Sequence, residues 1–145
     1  MSPRMTNPSV AIPEALPPLL ELTKVLGQVG VPTRTMDLIR LRVSQINGRI
    51  YVLPTDLAEH DERLPKVATW RDESCFTDAE RAALALAEDA SRLNDRKDPV
   101  PDEVWAQAAK HYTEQELGAL VIQIGLVNLW NCVNVATNQD PADWR

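Results

Sequence analysis

Apolar residues along this chain recur mostly at spacings of three and four, and proline or glycine separates the tracts. In "PPLLELTKVLGQVG", Leu19, Leu22 and Leu26 share one face, which predicts a first helix ending near Gly30. Pro32 can open a second helix through "TMDLIRLRVSQIN", with Met36, Ile39, Val43 and Ile46 on one face and Gly48 as its stop. Val and Ile there would also suit a strand. Pro54 withholds a backbone donor, so no helix is expected to run straight through from Arg49. A restart is expected at Asp56, where "DLAE" has capping-box spacing with Glu59 at N3. Pro65 fits the first turn of a further helical piece, "PKVATW".

The C-terminal half is punctuated more clearly. "TDAE", from Thr77 to Glu80, is a capping box ahead of the Ala-rich run "DAERAALALAEDASRL". Pro101 starts another helix in "VPDEVW". Thr113 and Glu116 cap a last long helix, which runs through Leu117, Leu120, Val121, Ile124 and Val127 to about Ala136. No hairpin signal joins alternating runs, so the fold class is all-α: a single-domain helical bundle.

Length and composition narrow this further. The 145 residues fit one domain with a substantial core, and 44% hydrophobic with 25% charged residues is ordinary for a globular chain. Residues 1–12, rich in Pro, Ser and Asn, read as a flexible N-terminal arm, and residues 13–145 as the helical domain. The net charge of −6, with basic residues interleaved among acids, speaks against a nucleic-acid partner. No unbroken apolar run reaches the roughly 18–20 residues of a membrane span, and the N-terminal tract lacks an apolar h-region. A cytoplasmic protein with no membrane partner is the expectation. Cys75 and Cys132 are too far apart in sequence for a disulfide framework or metal-ligand spacing, and His60 and His111 form no HExxH pattern. No structural metal is expected.

Four stretches, "LIRLRVSQINGRIYV", "WRDESCFTDAERAALALAE", "VPDEVWAQA" and "VNLWN", resemble the carboxymuconolactone decarboxylase family, and within it the small alkylhydroperoxidase D-like (AhpD-like) proteins. The resemblance runs from about Pro13 to Val135. It implies an all-helical, cofactor-free domain that assembles as homo-trimers or multiples of them, with a peroxidase or antioxidant role. In that branch "SQING" leads into a CxxC pair, a histidine follows, and a glutamate lies upstream. A peroxidatic cysteine must be a thiolate, which a helix N-terminus favours, and its sulfenic acid is resolved by the second cysteine. Here Arg49 and Val52 stand at the cysteine positions, and Asp37 matches the glutamate. Counted forward from Val52, Asp56 takes the place of the histidine; counted back from "ERL", nothing does. A guanidinium and a valine cannot perform the thiol cycle, so no CxxC peroxidase activity is expected.

The candidate site is therefore Asp37, Arg49, Tyr51 and Asp56, with Arg49 and His60 as ligand-binding side chains. An Arg49–Asp37 ion pair is expected, with Tyr51 nearby. In one reading Arg49 clamps a carboxylate while Tyr51 or His60 moves a proton. In the other it merely fills the vacated site or lies on the surface, Asp56 is an N-cap, and His60 is an exposed helix residue. The protein is then an AhpD-like chain with a degenerate site. The alternatives are a cofactor-free lyase or isomerase acting on a small carboxylated molecule, or a non-catalytic oligomeric binding or regulatory subunit, paired with an active paralogue. Elsewhere the bland readings are buried, inert thiols at Cys75 and Cys132, and packing anchors at Trp70 and Trp105. The charges of "AERAALALAE" are read as solvated. Asn128, Asn131, Asn134 and Asn138 form one face of the last helix, lining a polar pocket or fixing helix register.

Overall fold

The structure is a computed structural model, and it describes residues 2–48 and 62–139. Among them, the helices are α1 (Pro8–Ala11), α2 (Leu16–Leu26), α3 (Thr33–Ile46), α4 (Asp78–Ala90), α5 (Asp102–His111) and α6 (Glu114–Ala136). Two 3₁₀ segments, Pro13–Ala15 and Leu64–Asp72, complete the set. The chain is all-α, as its periodicity predicts.

The third helix is the axis of the fold. Met36, Ile39 and Val43 face a large core with Leu86, Leu120 and Ile124. Leu38 and Leu41 face a smaller one with Leu64, Val67, Trp70, Phe76 and Leu84. Thus α3 buries two faces, against α4 and α6 on one side and the Leu64–Asp72 segment on the other. Full burial of each such side chain is worth about 1.5–3 kcal/mol, so α3 holds both cores together.

Local chemistry explains the helix ends. Thr77 accepts from the Glu80 N–H at 3.1 Å, and the Glu80 carboxylate accepts from the Thr77 N–H at 2.9 Å. Thr113 and Glu116 repeat this box at the start of α6. Pro32 and Pro101 stand just outside α3 and α5 as N-caps. Gly48, with φ +74°, takes the left-handed turn after α3 that a side chain would strain. Two helices are shorter than their patterns suggest: α2 stops at Leu26 and α4 at Ala90.

Residues 2–12, read from composition as an arm, run back to the end of α6. The Asn7 amide donates to Asn134 Oδ1 at 3.3 Å, the Arg4 N–H to Thr137 O at 2.7 Å, and Gln139 Nε2 to Met5 O at 3.0 Å. Asn138 does not share the helical face of the other asparagines. It lies beyond α6 at φ +56°, where its N–H bonds Val135 O and the Gln139 N–H bonds Asn134 O, a Schellman ending.

By length and composition α6 would suffice to cross a membrane. The run is not unbroken, as expected: Gln123, Asn128, Asn131 and Asn134 interrupt it, and they lower its average hydropathy only a little. Here α6 is a core helix, and its polar residues Gln123, Asn131 and Asn134 are buried with its apolar ones.

Glu80 caps α4 and also pairs with Arg63 in a buried setting. Replacing Glu80 with Ala should therefore lower stability by about 3 kcal/mol, since it takes the Glu80 carboxylate away from Arg63 and removes half of the capping box. Urea denaturation compared with Thr77→Ala, expected near 1 kcal/mol, separates the two contributions.

Candidate functional site

Asp37 lies half-buried on α3 and is engaged in an electrostatic or hydrogen-bonded interaction. Arg40 and Ser44 follow it at i+3 and i+7, close to the same side of the helix. The helix then ends, the Asn47 amide donating to Asn128 Oδ1 at 3.0 Å. Arg49, Val52, Tyr51, Asp56 and His60 lie outside the described residues, as do Pro54 and the Arg49–Asp37 pair. Of the sequence-derived site, Asp37 alone is placed.

The cysteines belong to elements other than α3. Cys75 is half-buried in the turn before α4, whereas Cys132 is exposed on α6, against the expectation of a buried thiol. Trp70 is an anchor, buried to 3% exposure with Nε1 donating to Glu88 at 2.7 Å. Trp105 is not, being 43% exposed on the outer side of α5.

The charged residues of "AERAALALAE" depart most from expectation, because they are not simply solvated. Arg63 donates to both Glu80 carboxylate oxygens at 2.7 and 2.9 Å and to Cys75 O at 3.1 Å. Glu88 accepts from Arg42 at 2.8 Å, Trp70 at 2.7 Å and Arg71 at 2.9 Å. Arg81 caps the 3₁₀ segment by donating to the carbonyls of Trp70, Arg71 and Glu73. Burial alone would raise both glutamate pKa values, yet these donors and the nearby guanidinium charges outweigh it. Both carboxyls are held below the ordinary 4.5. Burial pushes the Tyr112 phenol up to about 12, with Glu80 and Glu116 adding to the effect, and its hydroxyl donates to Ala79 O at 2.8 Å. These groups are ionic and hydrogen-bonded ties between elements, suited to stability and unsuited to proton transfer near neutrality.

A separate opening lies where α2, α3, α6 and the Asn7–Val10 stretch meet. It is a cavity of about 590 Å³, with Ser44, Gln123 and Asn131 among its polar lining and Leu20, Leu126 and Trp130 among its apolar lining. Ser44 Oγ donates to Asn131 Oδ1 at 3.4 Å, and Gln123 Nε2 to Met36 O at 3.5 Å. Three of the four asparagines singled out by spacing therefore do join elements, to Asn47, Ser44 and Asn7. Asn131 and Asn134 also line the cavity. Arg40, Ser44 and Gln123 were not singled out by the sequence pattern. The usable signal for the last two is a polar residue inside an apolar-periodic stretch. Among the described residues no three His, Cys, Asp or Glu side chains are grouped as metal ligands.

Comparison with known proteins bears on the fold. No protein-family model matches the chain. The uncharacterized protein YdfG of Bacillus subtilis (strain 168) is 28% identical over 142 residues, spanning 94% of this chain and 95% of its own. A crystal structure of a protein of unknown function from Agrobacterium tumefaciens, provisionally assigned to antioxidant defence as AhpD, superposes with a TM-score of 0.83. It is 24% identical and matches over 96% of this chain and 97% of its own. The helical fold of this protein is therefore that of an AhpD-like structure.

The glutamate ties carry a definite pH dependence. Because the folded carboxyls titrate below 4.5, their stabilisation is present above that value and is lost as pH falls through the folded pKa values. Glu88→Gln should lower stability at pH 7 by about 2–3 kcal/mol, and the gap from wild type should narrow as pH drops below the carboxylate range. Urea unfolding followed from pH 7 to pH 3 reads both effects.

Proposed function

We propose that the protein is an AhpD-like, carboxymuconolactone decarboxylase-family chain that has left CxxC peroxide chemistry. The observation that carries this reading is the pair Arg49 and Val52, standing where the resembling proteins have their cysteines. The likeness in helical fold to the Agrobacterium tumefaciens structure supports the family part. Cys75 and Cys132 offer no replacement pair by sequence spacing, and they belong to different elements. The family label of antioxidant protein then describes ancestry, and the activity lies elsewhere.

A second reading is a cofactor-free lyase or isomerase acting on a small carboxylated molecule. Asp37 favours it, because a half-buried carboxylate engaged on the central helix is the counterpart that an arginine clamp needs. Arg49 would bind the substrate carboxylate, Tyr51 or His60 would move the proton, and Asp56 would stand in for the family histidine.

We also propose a homo-oligomer built on the outer side of α6. This helix is apolar nearly all round, and its solvent side leaves Val121, Ile122, Leu129 and Val135 each at least 40% exposed. Gly118, Gly125 and Cys132 lie on that exposed side too, so another helix could approach closely. A second copy covering this stripe would remove it from water.

With dithiothreitol as reductant, wild type should consume alkyl hydroperoxide no faster than the Cys75→Ser/Cys132→Ser double variant. Peroxide loss above background that this variant abolishes would overturn the thiol-free reading. The double substitution Ile122→Glu/Leu129→Glu should shift the mass measured by light scattering to that of the 16.2 kDa monomer. An unchanged mass would move the interface elsewhere.

A further inference from the structure

The geometry points to the cavity between α2, α3 and α6 as a binding site for an amphipathic monocarboxylate, its head against Asn131 and its apolar body along Leu20, Leu126 and Trp130. The inference stands on described residues and is independent of the reading of Arg49 and Val52.

Three observations converge on this class of ligand. The first is an unmet need. Asn131 is 4% exposed, and its amide nitrogen is buried with no hydrogen-bond partner among the described residues, although its carbonyl oxygen accepts from Ser44. Leaving buried donors unpaired costs about 1–3 kcal/mol. An asparagine kept there leaves a donor unmet at a residue that lines the cavity. The second is size. One water occupies about 30 Å³ in the liquid, so a single bridging water would leave most of the roughly 590 Å³ unfilled. That volume falls in the range of small-molecule sites.

The third is polarity and charge. Among the described residues the lining contains no carboxylate, and Arg40 is the one charged side chain there, in a protein of net charge −6. Arg40 has an interaction of its own, and its guanidinium, always protonated, belongs to the lining. The remaining wall is largely apolar, and Leu20 and Val10, both more than half exposed, carry it out to solvent. An acceptor head with negative charge and an apolar body of eight to ten carbons satisfies all three conditions. An ammonium head would leave the Asn131 donor unmet and would face the Arg40 cation, and a fully polar anion would leave the apolar wall wet.

The test is isothermal titration calorimetry of the full chain with decanoate, and with decylammonium as the head-group control. Decanoate is expected to bind saturably at one site per chain, and decylammonium about tenfold or more weaker. Asn131→Leu keeps the branching at Cγ while removing the donors. It should weaken decanoate by about tenfold or more and change the melting temperature little, because the unpaired N–H groups go together with the acceptor of the Ser44 hydroxyl. Leu20→Trp, at an exposed position on the rim, should weaken binding without touching the core. Ile122→Glu, on the far side of α6, should leave it unaltered. Absence of saturable decanoate binding, equal affinity for decylammonium, or full affinity in Asn131→Leu would overturn the proposal. If Asn131→Leu does not fold, Leu20→Trp decides alone, and unaltered affinity in it overturns the proposal. Affinity lost in Ile122→Glu would also overturn it, by assigning the binding to the exposed stripe.

Discussion

Almost everything in this molecule depends on the enclosure of α3. Apolar side chains leave it toward two cores, so nearly every polar group on it must be met by another element. Arg42 is met by Glu88, Ser44 by Asn131, and the Met36 carbonyl by Gln123. These contacts fix where α4 and α6 sit and turn them into walls around one helix. The same enclosure gives chemistry on α3 its leverage. Asp37, Arg40 and Ser44 lie close to one side of a rigid rod, and their relative positions are set by helix geometry.

The two ionic ties extend that frame to the 3₁₀ segment. Glu80 joins a cap to a cross-element ion pair, and Glu88 gathers two arginines and a tryptophan N–H from α3 and the segment around Trp70. They hold Leu64–Asp72 against α3 although its 3₁₀ geometry supplies weaker hydrogen bonding of its own. A carboxylate satisfied by three donors is a poor general base, so the best-formed charge clusters in the described structure are structural.

Helix positions were legible in the sequence because their signals are local. The capping boxes at Thr77 and Thr113, the prolines at 32 and 101 and the glycine after α3 each act within a few residues. The family resemblance added Asp37 and the altered cysteine positions. What local pattern could not supply was the fate of polar residues. Glu80 and Glu88 have the spacing of solvated helix charges, and they turn inward because Arg63, Arg42 and Trp70 arrive from elsewhere. Asn138 keeps the asparagine spacing but leaves the helix, since a left-handed residue is needed to close α6. Cys132 and Trp105 follow residue-type preference for burial, yet the helices that carry them turn those positions outward.

The contacts between Asn7 and Asn134 span 127 positions of the chain. Such contacts bear the largest loop-closure cost and are rewarded only after nearer pairings have formed. The wall of the cavity near residues 7–10 is therefore a late acquisition in folding: the two cores can assemble around α3 before this seam is joined. The same order in reverse makes the seam a place for partial opening, where α1 separates from the end of α6 while the interior stays packed. The recess is thus held by the least local bonds in the protein, and access to it is governed separately from global stability.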